Sequence, residues 1–247
     1  MKRNAGGQVL AAVLVNAVYA MKNYPVVLIN TVLSPLSFLL VIFFVSRGAL
    51  IGQAIEGALI MSMFSSGMGL QSDLSHLKND FKLQDMVVSS PTTPLLYVGG
   101  MAISELVYSF PALAVLTALA AVFLRPSSVG AVSLIAVMLL MFLTSVCLGF
   151  TLSTFSSDIM QSYAMSSLIS ILFSTLPPVY YPITYIPLPY RYLAYLSPTT
   201  YAAGIAQNAT GFLQLSSMSL LLDWAVLIGL TSFLALVAAK KARWREV

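Results

Sequence analysis

Three carboxylates stand inside otherwise apolar stretches of this chain: Glu56, Glu105 and Asp223. An ionisable group at membrane depth costs roughly 2.5 to 3.5 kcal/mol at a helix centre on insertion scales, so each is a candidate for a polar pathway or an ion-binding role. Their surroundings leave a second reading open. Glu56 and Asp223 fall within about two turns of helix ends, where a carboxylate reaches headgroup water. Glu105 lies in a stretch longer than one span, which places it either near the headgroups or in a pairing inside the protein.

Other chemistry is scarce. One histidine, one cysteine and eight carboxylates form no HExxH or CxxC arrangement, so no metal site is expected. No GxxxxGK[ST] loop occurs, so ATP hydrolysis by the phosphate-cradling route is not expected of this sequence. Cys147 is read as a packing residue, since a single cysteine forms no disulfide within one chain.

The charge that exists is gathered. Five of the twenty charged side chains and the histidine fall between Asp73 and Asp85, in "DLSHLKNDFKLQD". On a helical template Leu74, Leu77 and Phe81 share a face, while His76, Asn79 and Asp80 point elsewhere, which predicts a short amphipathic helix. Ser90-Pro91 and Pro94 end it.

The elements that must carry these residues are membrane helices. With 59% hydrophobic and 8% charged residues and a mean hydropathy of +0.91, the chain has too little polar surface for a water-soluble domain. A span needs roughly 20 apolar residues. Six stretches qualify: Tyr24 to Ser46, Leu50 to Ser72, within Leu95 to Leu124, Val129 to Phe155, Ile159 to Tyr180, and Met218 to Ala239. The first 22 residues have a basic start and an apolar run like a signal peptide. Asn16 interrupts that run and Lys22 closes it, so an amphipathic helix along the inner membrane surface is expected.

Basic residues are retained on the cytoplasmic side during insertion. With both termini cytoplasmic, nine of the twelve lysines and arginines lie inside, together with the charged segment. The net charge of +4 then faces anionic lipid, and no nucleic-acid partner is expected. Two small-residue patterns, Gly48 to Gly52 and "SSGMG" at Ser65 to Gly69, suit either a dimer face or packing within the subunit.

A second signal lies between Pro177 and Tyr201, which hold six of the twelve prolines and seven of the twelve tyrosines. Proline removes a backbone donor, and broken backbone at membrane depth survives only where protein or water satisfies it. The fifth span should end near Pro177. Short helices or re-entrant turns at the outer surface should follow, with tyrosines at headgroup level.

Together these features resemble an ABC-2 type transporter permease: six spans, a surface helix before the first, "NDFKLQDMVVSSPTTP" between the second and third, and "PITYIPLPYRYLAYLSPTTY" before the sixth. Leu83, Met86, Ser90 and Pro91 match the family's inner loop, and Pro182, Leu188, Pro189, Pro198, Thr200 and Tyr201 its outer segment. Where the family loop often has an arginine and a Gly-Thr pair, this chain has Asp80, Phe81 and Lys82.

The resemblance implies an all-α integral membrane protein, one transmembrane domain over residues 1–247. It has six transmembrane helices, an N-terminal interface helix, a cytoplasmic coupling helix between helices 2 and 3, and outer re-entrant helices before helix 6. It implies export of a hydrophobic or amphipathic substrate from the cell, a homodimer or heterodimer of permeases, and a separate ATP-binding subunit holding ATP and Mg. Leu77, Asp80, Phe81, Lys82, Asp85, Met86 and Pro91 would contact that subunit. The competing class is an ATP-independent channel or secondary carrier using the three carboxylates. The chain lacks the internal repeat and paired, Gly-broken helices that often mark such carriers. A membrane-embedded enzyme would need a convergent catalytic set that the sequence does not offer.

Overall fold

The computed structural model describes residues 5–79, 93–156, 158–175 and 177–241. Each of the six stretches expected to span contains a helix, the fifth only over Ile159–Thr175. A helical stretch precedes them: α1 (Ala5–Val13), a π turn (Leu14–Val18) and α2 (Tyr19–Asn23). Proline disfavours helical backbone in the residue before it, and Tyr24, at φ −123° and ψ 62°, breaks the chain ahead of Pro25. Pro25 opens α3 (Pro25–Ser46), whose end is turned by left-handed Arg47 and Gly48. Then come α4 (Ile51–Asn79), α5 (Pro94–Phe123), α6 (Ser128–Ser153) and α7 (Ile159–Thr175). The Ser127 hydroxyl caps α6 by accepting from the Gly130 amide at 3.1 Å.

Between α7 and the last helix the chain folds into a cap. It consists of a 3₁₀ turn (Ile183–Tyr185), α8 (Arg191–Ala194) and α9 (Pro198–Thr210), and α10 (Ser217–Lys241) follows. α7 ends just ahead of Pro177, as proline chemistry requires. α9 closes on Gly211 at φ 86°, with Gly211 and Leu213 amides donating to the Asn208 and Gln207 carbonyls. That left-handed position favours glycine. Tyr185, Tyr190, Tyr192 and Tyr195 are exposed on the cap, whereas Tyr180 is buried.

α4 is the axis of the bundle. It packs most extensively on α6, then on α5, α7, α3 and α9, and residues 52–61 are buried without interruption. This position explains its composition. Between helices, small and polar side chains allow close approach and hydrogen bonding, whereas lipid-facing helices need apolar surface. Among the described residues five helical stretches are accordingly long and apolar enough to cross a membrane: Ala5–Asn23, Leu28–Ser46, Leu96–Phe123, Ser128–Ser153 and Ser217–Lys240. α4 and α7 fall outside that group, α7 because its described helix is 17 residues long.

The N-terminal helix, expected at the membrane surface, lies against α5 near its start: a side chain at Gly100 would meet Ala12 Cβ at 3.2 Å.

Two expectations change. Residues 74–79 do not begin a separate helix, because α4 runs on through Asn79; Leu74 is buried against Met101, Ala102 and Val146. Nor do Gly48 and Gly52 form one helical face. Gly48 sits in the turn before α4, and Gly52 lies beneath the Phe212 ring of the same subunit.

Gly67 sets the α4/α6 spacing. A Cβ there would meet the Val146 amide nitrogen at 2.8 Å and the Phe142 carbonyl at 2.9 Å, backbone atoms that cannot swing away. Thr144 and Thr231 hydrogen-bond at 2.6 Å between α6 and α10. Gly67→Leu is therefore expected to destabilise the bundle by about 1–3 kcal/mol or more through overpacking. A lower melting temperature in detergent micelles would register it. Gly99→Leu is the control, since nothing lies within 4 Å of a Cβ at Gly99.

Candidate functional site

α3, α4, α5 and α7 line a half-open cavity of about 440 Å³. Its wall is rich in hydroxyl and amide groups. Ser62, Ser65 and Ser66 follow helical spacing on α4 and point to one face. Asn30, Thr31 and Ser34 come from α3, Tyr108 and Ser109 from α5, Ser170 and Ser174 from α7. Proline 35, inside α3, also lines it. At one end Phe38 and Tyr180 stack, with centroids 5.5 Å apart and rings 6° from parallel.

Among the described residues Glu105 is the one charged residue in the wall. Its carboxyl hydrogen-bonds that of Asp73 and lies over Gly69. The Ser66 hydroxyl donates to the Glu105 carbonyl at 3.1 Å, fixing α4 against α5 at this level. Tyr108 hydrogen-bonds Thr31 beside the same carboxyl. Glu105 is thus held in a pairing inside the bundle. Asp73 carried no role in the sequence; its partner is 32 residues away on another helix, which no local pattern reveals.

Glu56 belongs to a second region, beneath the cap. The sequence placed it within reach of headgroup water, and the structure corrects this: Glu56 is 0% exposed. The cap covers it. Thr210, at the end of α9, donates its hydroxyl to Glu56 Oε1, while Oε2 has no hydrogen-bond partner among the described residues. α9 is held from other sides too. Thr199 donates to the Phe173 carbonyl at 2.9 Å, and Tyr201 OH to the Tyr195 carbonyl at 2.8 Å. Pro198 opens α9 and is buried; Pro182 precedes the 3₁₀ turn, and Leu188-Pro189 is a cis peptide. Arg191 Nη2 donates to the Ile186 carbonyl at 3.1 Å, tying that turn to α8.

Asp223 is half-buried on α10, on another side of α9. It faces Gly204 and a pocket of about 120 Å³ shared with Thr200, Gln207 and Ser219. The three carboxylates are therefore not brought together. Gly69, which lies against Glu105, is thirteen residues from Glu56 along α4, about 20 Å at the helical rise. No group of three metal-ligating side chains occurs among the described residues.

At its far end α4 is tied to α7. Gln71 Nε2 donates to the Ser162 carbonyl at 3.2 Å, Ser162 Oγ donates to the Gln71 carbonyl at 3.2 Å, and Ser166 donates to Gln71 Oε1 at 2.7 Å. Leu77 stands just beyond, in the last turns of α4. Asp80, Phe81, Lys82, Asp85, Met86 and Pro91 lie outside the described residues. Of the residues the sequence missed, the α4 serine stripe was detectable from spacing; the Gln71 seam and the Phe38–Tyr180 stack were not.

A family model described as ABC-2 type transporter matches residues 8–209. Among curated proteins, none matches the chain.

Proposed function

Since the chain belongs to the ABC-2 type transporter family, whose members are membrane transport components, we propose that it is the permease subunit of an ATP-driven exporter in the cell membrane. A hydrophobic or amphipathic substrate, whether drug, lipid or lipid-linked glycan, would cross by alternating access. A separate ATP-binding subunit, loaded with ATP and Mg, would supply the energy to a homodimer or heterodimer of permeases with cytoplasmic termini.

The observation that carries this reading is the cavity between α3, α4, α5 and α7, next to the axial helix α4. α4 leads directly into the charged segment that would form the coupling helix, and its hydrogen-bonded seam with α7 would pass a push on that segment to both helices. In the coupling groove, Leu77 and Phe81 are apolar anchors, and Asp80, Lys82 and Asp85 rim charges, with Met86 and Pro91 closing the segment. The carrier alternative as read from the sequence would use Glu56, Glu105 and Asp223 together, and these three are dispersed.

The test is co-expression with a candidate ATP-binding subunit from the same genome, one that carries a GxxxxGK[ST] loop. The two chains should co-purify, and inverted vesicles containing both should accumulate a fluorescent amphiphile only with ATP. Accumulation driven by an ion gradient without nucleotide would overturn the proposal in favour of the carrier.

A further inference from the structure

We propose that the cavity between α3, α4, α5 and α7 is a binding site for a cationic, hydroxyl-bearing amphiphile with a flat apolar portion. This inference narrows the substrate class within the exporter reading and rests on it.

Charge argues first. Among the described residues the wall contains one charged side chain, Glu105, and no lysine or arginine. In a medium of low dielectric constant an anion beside that carboxyl would be repelled and left without a counter-ion, whereas an amine would gain a charge-assisted hydrogen bond. The Asp73 carboxyl is consistent with this, since two carboxyls hydrogen-bond by sharing one proton and the pair as a whole then carries a single negative charge.

Hydrogen-bonding capacity argues second. Among the described residues the hydroxyls of Ser62, Ser65 and Ser109 have no hydrogen-bond partner and border the cavity. Polar groups in such a place would pair with hydroxyls or amines of a ligand.

Shape argues third. The stacked Phe38 and Tyr180 rings, 6° from parallel, present an apolar surface at the cavity wall, and Met61 and Ile171 extend it. A flat hydrophobic portion fits there, with its cationic end toward Glu105. Phosphate-bearing lipids and lipid-linked glycans are disfavoured by the same charge argument.

Two naphthalene compounds of opposite charge test this: propranolol, with a secondary amine and a hydroxyl, and naproxen, a carboxylate. The full chain in phosphatidylcholine nanodiscs, measured against empty discs by equilibrium dialysis, should bind propranolol saturably and naproxen not at all. Glu105→Gln should weaken propranolol about tenfold, Phe38→Leu several-fold, and Asp223→Asn should leave it unchanged. Should Glu105→Gln fail to fold, Glu105→Asp should keep binding and Ser109→Phe, which fills the cavity, should abolish it. Equal binding of naproxen, or propranolol binding indifferent to the cavity variants, overturns the site. Propranolol that binds with these dependences but is not moved by ATP in vesicles overturns the exporter reading and leaves the site standing.

Discussion

Thr210→Val is expected to lower the stability of the folded chain by about 3 kcal/mol, and adding Glu56→Leu to restore most of the loss. The argument turns on what is left behind. Glu56 is completely buried and takes its one side-chain hydrogen bond from Thr210. Valine keeps the shape of threonine and removes only the donor, stranding a carboxyl in the interior. Removing one partner of a buried hydrogen bond costs about 1–3 kcal/mol, and more when the group left behind is charged, while replacing both partners by apolar groups is often neutral. The Ala206 and Gln207 carbonyls also lie near the Thr210 hydroxyl, at 3.1 and 3.3 Å. A hydroxyl has a single proton, and Glu56 is the nearest acceptor. Melting temperatures of the wild type, both single variants and the double variant in detergent micelles form the cycle. A Thr210→Val variant as stable as wild type would show that the cap is not held through this bond.

Phe81→Asp is expected to abolish substrate-stimulated ATP hydrolysis by the reconstituted complex while the permease still inserts and is recovered at wild-type levels. If the segment docks as proposed, the substitution puts a charge into an apolar groove, which removes an anchor and leaves an aspartate to be desolvated without a partner. Asp85→Ala, at the rim, should cost far less, because exposed charge pairs contribute about 0–1 kcal/mol. Stimulation that survives Phe81→Asp unchanged would take the coupling role away from this segment.

How much of this could be read from residue order differs by feature. The helices around Leu28–Ser46, Ser128–Ser153 and Ser217–Lys240 follow from apolar length alone, because the bilayer demands it. The end of α7 ahead of Pro177 and the broken segment before α10 follow from proline. Even α4, the least apolar of the membrane helices, was legible as a stretch long enough to cross. Its continuation through Asn79 was not, since the periodicity of Leu74 and Leu77 serves a buried face and a surface face equally well; Leu74 proved to be in the former.

Residue types and their spacing determined that this chain lives in lipid, that it is built of apolar helices, where proline interrupts them and which family it resembles. Each of those is a local property, set by transfer from water and by backbone chemistry within about 20 residues. Only the tertiary structure decided that Glu56 is covered, that Glu105 faces a hydroxyl-lined cavity with Asp73 beside it, and that Asp223 stands apart from both. The deciding contacts join residues far apart in the chain: Ser66 to Glu105 across 39 positions, Gln71 to Ser162 across 91, Thr210 to Glu56 across 154. A carboxylate within two turns of a helix end reads as solvated until another segment, encoded far away, folds over it.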